Sequence, residues 1–517
     1  MSDGAEIIRG VPGELFIDPG VTVNSGGGSI NLSSARDVVL RQNSIVNSEG
    51  GTIALTAANG IGLFATTGGA TVTSGPVGGI GTGGDITITT DALVLATGSE
   101  IKAPGSTALG NLTINPYSTN RDIQIGAGGA TALGIDADEL SRMVNIDTLT
   151  IGRSTDTGTL TVDNSLSSID VNASTLVLKH QHIVTNNAIN LSADAENLKL
   201  VASATIDINN DVDAGTGIVT LEAPIASFSP GTSPINIDSF TINGTGSPDA
   251  IIDGGGTTLF RNSTVLNTVV HTAGAIYTSA GQTVTVEGIY NWIGGTINGT
   301  VTANSTTTVN STVTLNGLFN NNGTFNWDSG NINSPGGGVF NNNSGGVFNV
   351  KDNGTLAPTF TNVGNLTKET GTGTTTFSGG LTTNSGTVNV NSGTIEFDGY
   401  TQTSGVTSLN GGNLTDTSGA GFDFDGGTLK GIGTITANDL NINNGATLAP
   451  GLSPGTLNVV GNLNLAPTST VQIELGGLTQ GTEYDFINVT GDVALNGTLD
   501  VSMFGNYPGK EGDQFNI

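Results

Sequence analysis

Apolar residues recur along this chain in short bursts in which every second position is polar, and Gly, Asn, Ser or Thr separates one burst from the next. Ile86-Thr-Ile88, Leu112-Thr-Ile114, Ile123-Gln-Ile125, Leu149-Thr-Ile151, Leu160-Thr-Val162, Leu198-Lys-Leu200 and Ile206-Asp-Ile208 all follow this rule. A period of two sends alternate side chains to opposite faces, so each burst predicts a short strand with one buried face. Further along, the bursts settle into a repeat. Phe319, Phe340, Phe360, Leu381 and Tyr400 each open a segment of similar pattern, at steps of 21, 20, 21 and 19 residues. One such unit cannot bury its apolar face alone and needs a neighbour above and below, which is the mark of a stacked architecture.

Strands of this kind build either antiparallel sandwiches or a parallel solenoid. The gaps are loose mixtures of Gly, Ser, Thr and Asn rather than regular two-residue Asn-Gly or Asp-Gly turns, and helical crossovers are lacking. Parallel strands joined without helices predict an all-β fold, a right-handed parallel β-helix (β-solenoid), with each strand pairing one full coil later. At roughly 21 residues per coil the chain would make about 24 coils. One helix interrupts the pattern near 136–144, where Asp136-ADELSRMV carries acids early, an Arg late and helically spaced Leu140 and Met143. Four of the 15 prolines, Pro224, Pro230, Pro234 and Pro248, mark a boundary. The expected organisation is a β-helix over 1–224, an irregular transition over 225–284, a short-coil Asn/Thr-rich solenoid over 285–440 and a C-terminal β-helix segment over 441–517. Recurring Asn invites two readings: amide ladders along the axis, or tolerance of left-handed turns, the broader explanation at this stage.

Composition narrows the function classes. The chain has 517 residues with 80 Gly, no Cys, 14 basic and 43 acidic side chains, and a net charge of −29. That balance disfavours nucleic acid and acidic lipid as partners. Absence of Cys removes disulfides and thiolate metal sites. MSDGAEIIRG has no apolar core for a signal peptide, and no apolar run approaches bilayer-spanning length, so removal of an export signal is the expectation.

Two regions resemble known exoproteins. Ser25 to Ile61 (SGGGSINLSSARDVVLRQNSIVNSEGGTIALTAANGI), Thr148 to Asp163 and Asp207 to Pro224 resemble the repeats of filamentous-haemagglutinin-like exoproteins. Ala446 to Met503, with Leu448-Ala-Pro-Gly451, Ser453-Pro-Gly455, Ile473-Glu-Leu-Gly476, Tyr484-Asp485 and Val489-Thr-Gly491, is similar to the segment preceding the barrel in autotransporter passengers. The resemblance implies a right-handed β-helix on or shed from a bacterial surface, acting in adhesion or biofilm contact. Neither a secretion domain nor a membrane barrel is found, and Phe515-Asn-Ile517 reads as lying inside a strand. A fragment, or a processed subunit with an open end, is the expectation that follows.

Candidate chemistry is sparse. Gly451-Leu-Ser453-Pro-Gly455 fits the G-x-S-x-G elbow, but that site needs a later His and the last is His271, while Pro454 lacks the required N–H. Gly79-Ile-Gly81-Thr-Gly-Gly84 matches G-x-G-x-x-G but leads into a strand, so it reads as a turn. Asp207, Asn209, Asp211 and Asp213 offer oxygen at alternate positions and are the calcium candidates, although Val212 and Ile218 break the EF-hand pattern and an exposed strand face looks the same. His180 and His182 are expected on one side of a strand as a solvated pair. Asp423 and Asp425 share a face, where a polysaccharide-cleaving enzyme would keep its acids, and otherwise form an acidic rim. Tyr290, Trp292, Trp327 and Tyr400 would stack on sugars if outward, but fit an internal aromatic column better. Thr87-Ile-Thr89 would bind ice only if repeated in register.

These readings lead to a non-enzymatic extracellular structural or adhesive β-helix: a surface adhesin, biofilm matrix protein or filament-forming subunit. No cofactor is expected beyond calcium, and the expected partners are itself end to end, host or neighbouring cell surfaces, and glycans. A β-helix polysaccharide lyase or hydrolase is the alternative, since one scaffold hosts both functions.

Overall fold

The structure is a computed structural model that describes all residues except 1–6, 10–11, 65–67, 77–79, 127–130, 169, 192, 194–195, 211, 215–216, 218, 224, 229–234, 238, 242–249 and 253–256. The chain forms two compact units, Met1–Thr264 and Val265–Ile517. That division lies inside the 225–284 transition; all four prolines of the boundary argument lie outside the described residues.

Both units are β-solenoid, built almost wholly of parallel strands, with about 19 turns between them. This is fewer than a uniform coil length predicts, because first-unit coils are long. The column Ile30, Ile53, Ile86, Leu112, Leu149, Leu176, Leu198, Val219 pairs in register, and its successive members stand 21 to 37 residues apart. Ile53–Ala57 and Ile86–Thr90 have burial alternating with every residue, as the two-residue period requires.

In the first unit two five-stranded faces accompany the main sheet. One contains Glu14–Ile17, Asp37–Leu40, Gly60–Leu63 and Leu93–Leu95; Ile7–Arg9 pairs antiparallel with its first strand, the one antiparallel strand pair among the described residues. The helix Ala137–Ser141 closes the opposite edge. Asp136 accepts from the Glu139 N–H at 2.7 Å, while Glu139 Oε2 accepts from the Asp136 N–H at 3.1 Å, a capping box that satisfies two orphan donors. Glu139 Oε1 then accepts the Leu95 N–H at 3.0 Å, and Arg142 donates to the Leu95 carbonyl. The helix therefore blunts a strand edge that would otherwise expose backbone. It ends earlier than its sequence suggests: Met143 belongs to the strand Met143–Val144, which pairs with Ile101 and Lys102.

In the second unit most coils carry three strands. Thr300–Ala303, Thr306–Val309 and Val313–Leu315 make one coil, and Leu318–Asn321, Thr324–Trp327 and Ile332–Asn333 stack on it. Phe319, Phe340 and Phe360 pair in register as the repeat predicts. The next anchor differs by one residue. Thr382, not Leu381, is the buried member of the column below Tyr400, and Leu381 is 54% exposed. A shift of one flips a side chain to the other face, and the in-register pairing of Asn362 with Asn384 decides which residue goes inside.

The interior of this unit is aromatic. Tyr290, Trp292, Phe319, Phe340, Phe360, Phe377, Phe397 and Tyr400 are buried, with neighbouring ring centroids between 4.8 and 6.2 Å. Each full burial contributes roughly 1.5–3 kcal/mol and each ring pair about 0.5–1.5 kcal/mol more. The residues that would have stacked on external sugars are thus spent on cohesion. The final strand is Thr498–Met503, so Phe515–Ile517 are not in a strand as expected; the Phe515 ring packs edge-on against Tyr484.

Candidate functional site

What the fold presents to solvent in the second unit follows from what it locks inside. A buried amide column runs beside the rings: Asn321 donates to Asn342 at 2.8 Å, Asn342 to Asn362 at 2.7 Å, Asn362 to Asn384 at 2.7 Å and Asn384 to Gln402 at 3.0 Å. Gln402 ends it by donating to the Gly426 carbonyl at 3.0 Å. Left-handed turns do not explain most of the Asn: only Asn43, Asn145, Asn444 and Asn506 among the described asparagines have positive φ. Gly keeps the turn role.

Outside, the same register produces rows made mostly of Thr and Asn. Thr306, Thr324, Val347, Asn365, Thr387 and Val406 form one row, and Thr308, Asn326, Asn349, Thr367, Asn389 and Ser408 the next, all paired in register; Thr367 and Ser408 are buried and the others half-buried. Rungs sit ~4.8 Å apart, the strand spacing of a sheet. Neither row carries a formal charge over this stretch. Asn349 donates to Asn326 at 3.1 Å and Asn389 to Asn365 at 3.0 Å, which holds the amides in one orientation.

Continuing along the same face, the rows meet a cleft of about 590 Å³ lined by Lys430, Ala449, Gln472, Glu474, Asp500 and the Gly451–Ser453 turn, among others. Asp485 builds its wall. Buried, it accepts the Gly455 N–H at 2.8 Å through one oxygen and the Glu474 N–H at 2.8 Å through the other. Desolvation pushes its carboxyl above the usual range, and those two N–H donors act in the opposite direction. Ser453, at φ +84°, donates to Glu474 at 2.5 Å. No imidazole lines the cleft, so the elbow-like motif lacks the His of a serine-hydrolase triad, and the group its hydroxyl meets is the Glu474 carboxylate. With both Asp485 oxygens occupied, Lys430, Gln472, Glu474 and Asp500 remain as a rim that can hydrogen-bond hydroxyl groups. Sequence reasoning missed this rim because Gln472 and Asp500 meet only through coil stacking, each a strand apart.

The sequence-derived candidates do not converge there. Asp423 and Asp425 face outward as expected, but each accepts from a ladder amide, Asn441 at 2.9 Å and Asn443 at 3.1 Å. His180 and His182 are not a solvated pair. A β-bulge between them turns His180 fully inward, where it meets the Arg121 carbonyl at 3.1 Å, and leaves His182 half-buried against Thr205 Oγ1 at 2.9 Å. Of the calcium candidates, Asp207 and Asn209 are described, with Asn209 exposed; Asp211 and the side chain of Asp213 lie outside the described residues. Among the described residues no group of three or more acidic or imidazole side chains is placed to hold a metal ion. Gly79 lies outside the described residues; Gly84 leads into the strand Ile86–Thr90. The Thr87 row meets Ala54, which breaks an ice-like array.

The chain matches no protein-family model, no curated protein and no solved structure.

Proposed function

We propose that this protein is a non-enzymatic structural and adhesive element that works outside a bacterial cell, as a surface adhesin, biofilm-matrix component or filament-forming subunit. The observation that carries this reading is the uncharged, mostly Thr/Asn flank from Thr306 to Asn389, whose half-buried rows stand in register over the amide and aromatic columns. Regularly spaced hydroxyls and amides suit partners that offer hydroxyls at many points, and glycans or glycan-coated cell surfaces do so. Such contacts are individually weak and add through multiplicity. The resemblance to filamentous-haemagglutinin-like repeats over Ser25 to Ile61 supports the same reading.

Self-association belongs to it. Thr498–Met503 pairs on one side only among the described residues; its Met503 is 62% exposed and the preceding Leu495 81%. Such an edge accepts a further parallel strand, from whichever coil or copy stacks on it.

Surface plasmon resonance against an immobilised panel of neutral and acidic polysaccharides tests the proposal. Binding to some members is expected, with affinity reduced severalfold by Asn326→Lys and Asn349→Lys. Absence of binding throughout, or indifference to both substitutions, overturns the flank as the contact surface. The cleft around Lys430 and Glu474 favours a second reading, a polysaccharide lyase or hydrolase, which release of new chain ends from the same panel would establish.

A further inference from the structure

Lys368 stands where the coil pattern calls for an apolar residue. It pairs in register between Val350 and Val390 and is fully buried. An aliphatic side chain in that column would avoid the desolvation of an amine, so the lysine is not explained by packing. Its Nζ lies 2.8 Å from Thr375 Oγ1, 3.4 Å from the Asp352 carbonyl and 3.4 Å from Asn353 Oδ1. Thr375 in turn donates to the Asp352 carbonyl at 2.9 Å, which fixes the hydroxyl as an acceptor for the amine. Burial lowers the amine's pKa and so favours its neutral, nucleophilic form, while the Asp352 carboxylate is near enough to oppose part of that shift.

Two glycines leave room for the pair. A Cβ on Gly373 would fall 2.4 Å from Asn353 Nδ2, and one on Gly393 would fall 3.0 Å from Lys368 Cε. Any side chain at the first position would displace the carboxamide. The site thus combines a buried amine with a carboxamide whose Oδ1 lies 3.4 Å from it.

We propose that Lys368 and Asn353 form an intramolecular amide cross-link, joining the strand Asn365–Lys368 to the turn of the preceding coil. The neutral Nζ attacks Asn353 Cγ, and the tetrahedral adduct collapses with cleavage of the Cγ–Nδ2 bond. One amine proton passes to the departing nitrogen, which leaves as ammonia. The step exchanges one amide for another, so it needs no oxidant, reductant or added cofactor. The product removes the buried amine and ties two successive coils covalently, a gain for a protein whose coils otherwise hold only their neighbours.

Mass spectrometry of the purified full chain, denatured before measurement, is decisive. The expected mass is one ammonia below the sequence mass, with a branched Lys368–Asn353 peptide after proteolysis, and Lys368→Met and Asn353→Ala each return to their own sequence masses. A wild-type chain at full sequence mass, with Lys368 open to an amine-reactive label after unfolding, overturns the proposal. So does an ammonia loss in which Lys368 still labels, because Asn353-Gly354 can close on its own backbone to a succinimide of the same mass.

Discussion

Removing one rung of the buried amide column, by Asn362→Ala, tests whether that column or the rings beside it holds the second unit together. Asn362 donates to Asn384 Oδ1 at 2.7 Å and to the Thr387 carbonyl at 2.9 Å, and accepts from Asn342 at 2.7 Å. Two partners keep another bond: Asn342 still reaches the Asn365 carbonyl at 3.2 Å, and Asn384 still accepts from the Gly386 N–H at 3.2 Å. Three lost bonds at a net of about 1 kcal/mol each, with a further contribution from weakened buried partners, give a loss of about 3–4 kcal/mol. The control is Asn389→Ala, which removes one half-buried bond to Asn365 Oδ1 at 3.0 Å and costs about 1 kcal/mol or less. Solenoids open locally rather than as one cooperative body, so native-state hydrogen exchange is a better assay than a global melt. Amides of 339–342, 359–362 and 382–384 should exchange about one hundred- to several-hundredfold faster in Asn362→Ala if local opening governs their exchange, since each 1.4 kcal/mol is about tenfold. Equal acceleration by the two variants, or none by either, would refute the claim that the column carries this stability.

Acid should weaken the second unit through His271. The ring is buried against Tyr290 and Trp292 of the next coil, and burial lowers its pKa to about 4. The unfolded chain takes up a proton below about 6.5 while the folded one does not, so stability is complete above that pH and falls toward pH 4, by about 3 kcal/mol in all. His271→Phe should flatten this part of a stability-versus-pH curve relative to wild type; parallel curves would refute it. Phe340→Ala, deep in the ring column, should lose about 3–5 kcal/mol in urea unfolding of the second unit, whereas a loss under 1 kcal/mol would mean the column collapses around the gap. Glu139→Gln should speed exchange of the Leu95 amide several-fold, and no change would show that the helix does not secure that strand edge. Chelator should leave the thermal midpoint unchanged; a drop reversed by added calcium and abolished by Asp207→Ala would place the ion on the Asp207 to Asp213 run.

The sequence by itself determined the fold class and much of the repeat. Strict alternation in Ile86-Thr-Ile88 or Leu198-Lys-Leu200 leaves one way to bury a face, and the recurrence of Phe319, Phe340 and Phe360 fixes which residues stack. It also separated a structural aromatic column from a sugar platform. Where local pattern was ambiguous by one residue, as at Leu381 and Thr382, only the pairing of Asn362 with Asn384 could decide which faced inward. The same limit applies to His180 and His182, because a bulge between them is a property of two strands. Contacts spaced one coil apart were beyond linear reading: the amide column, the rim joining Gln472 to Asp500, and the approach of Lys368 to Asn353. Coil lengths vary from turn to turn, so no fixed offset along the chain predicts which side chains meet, and stacking in three dimensions assigned those partners.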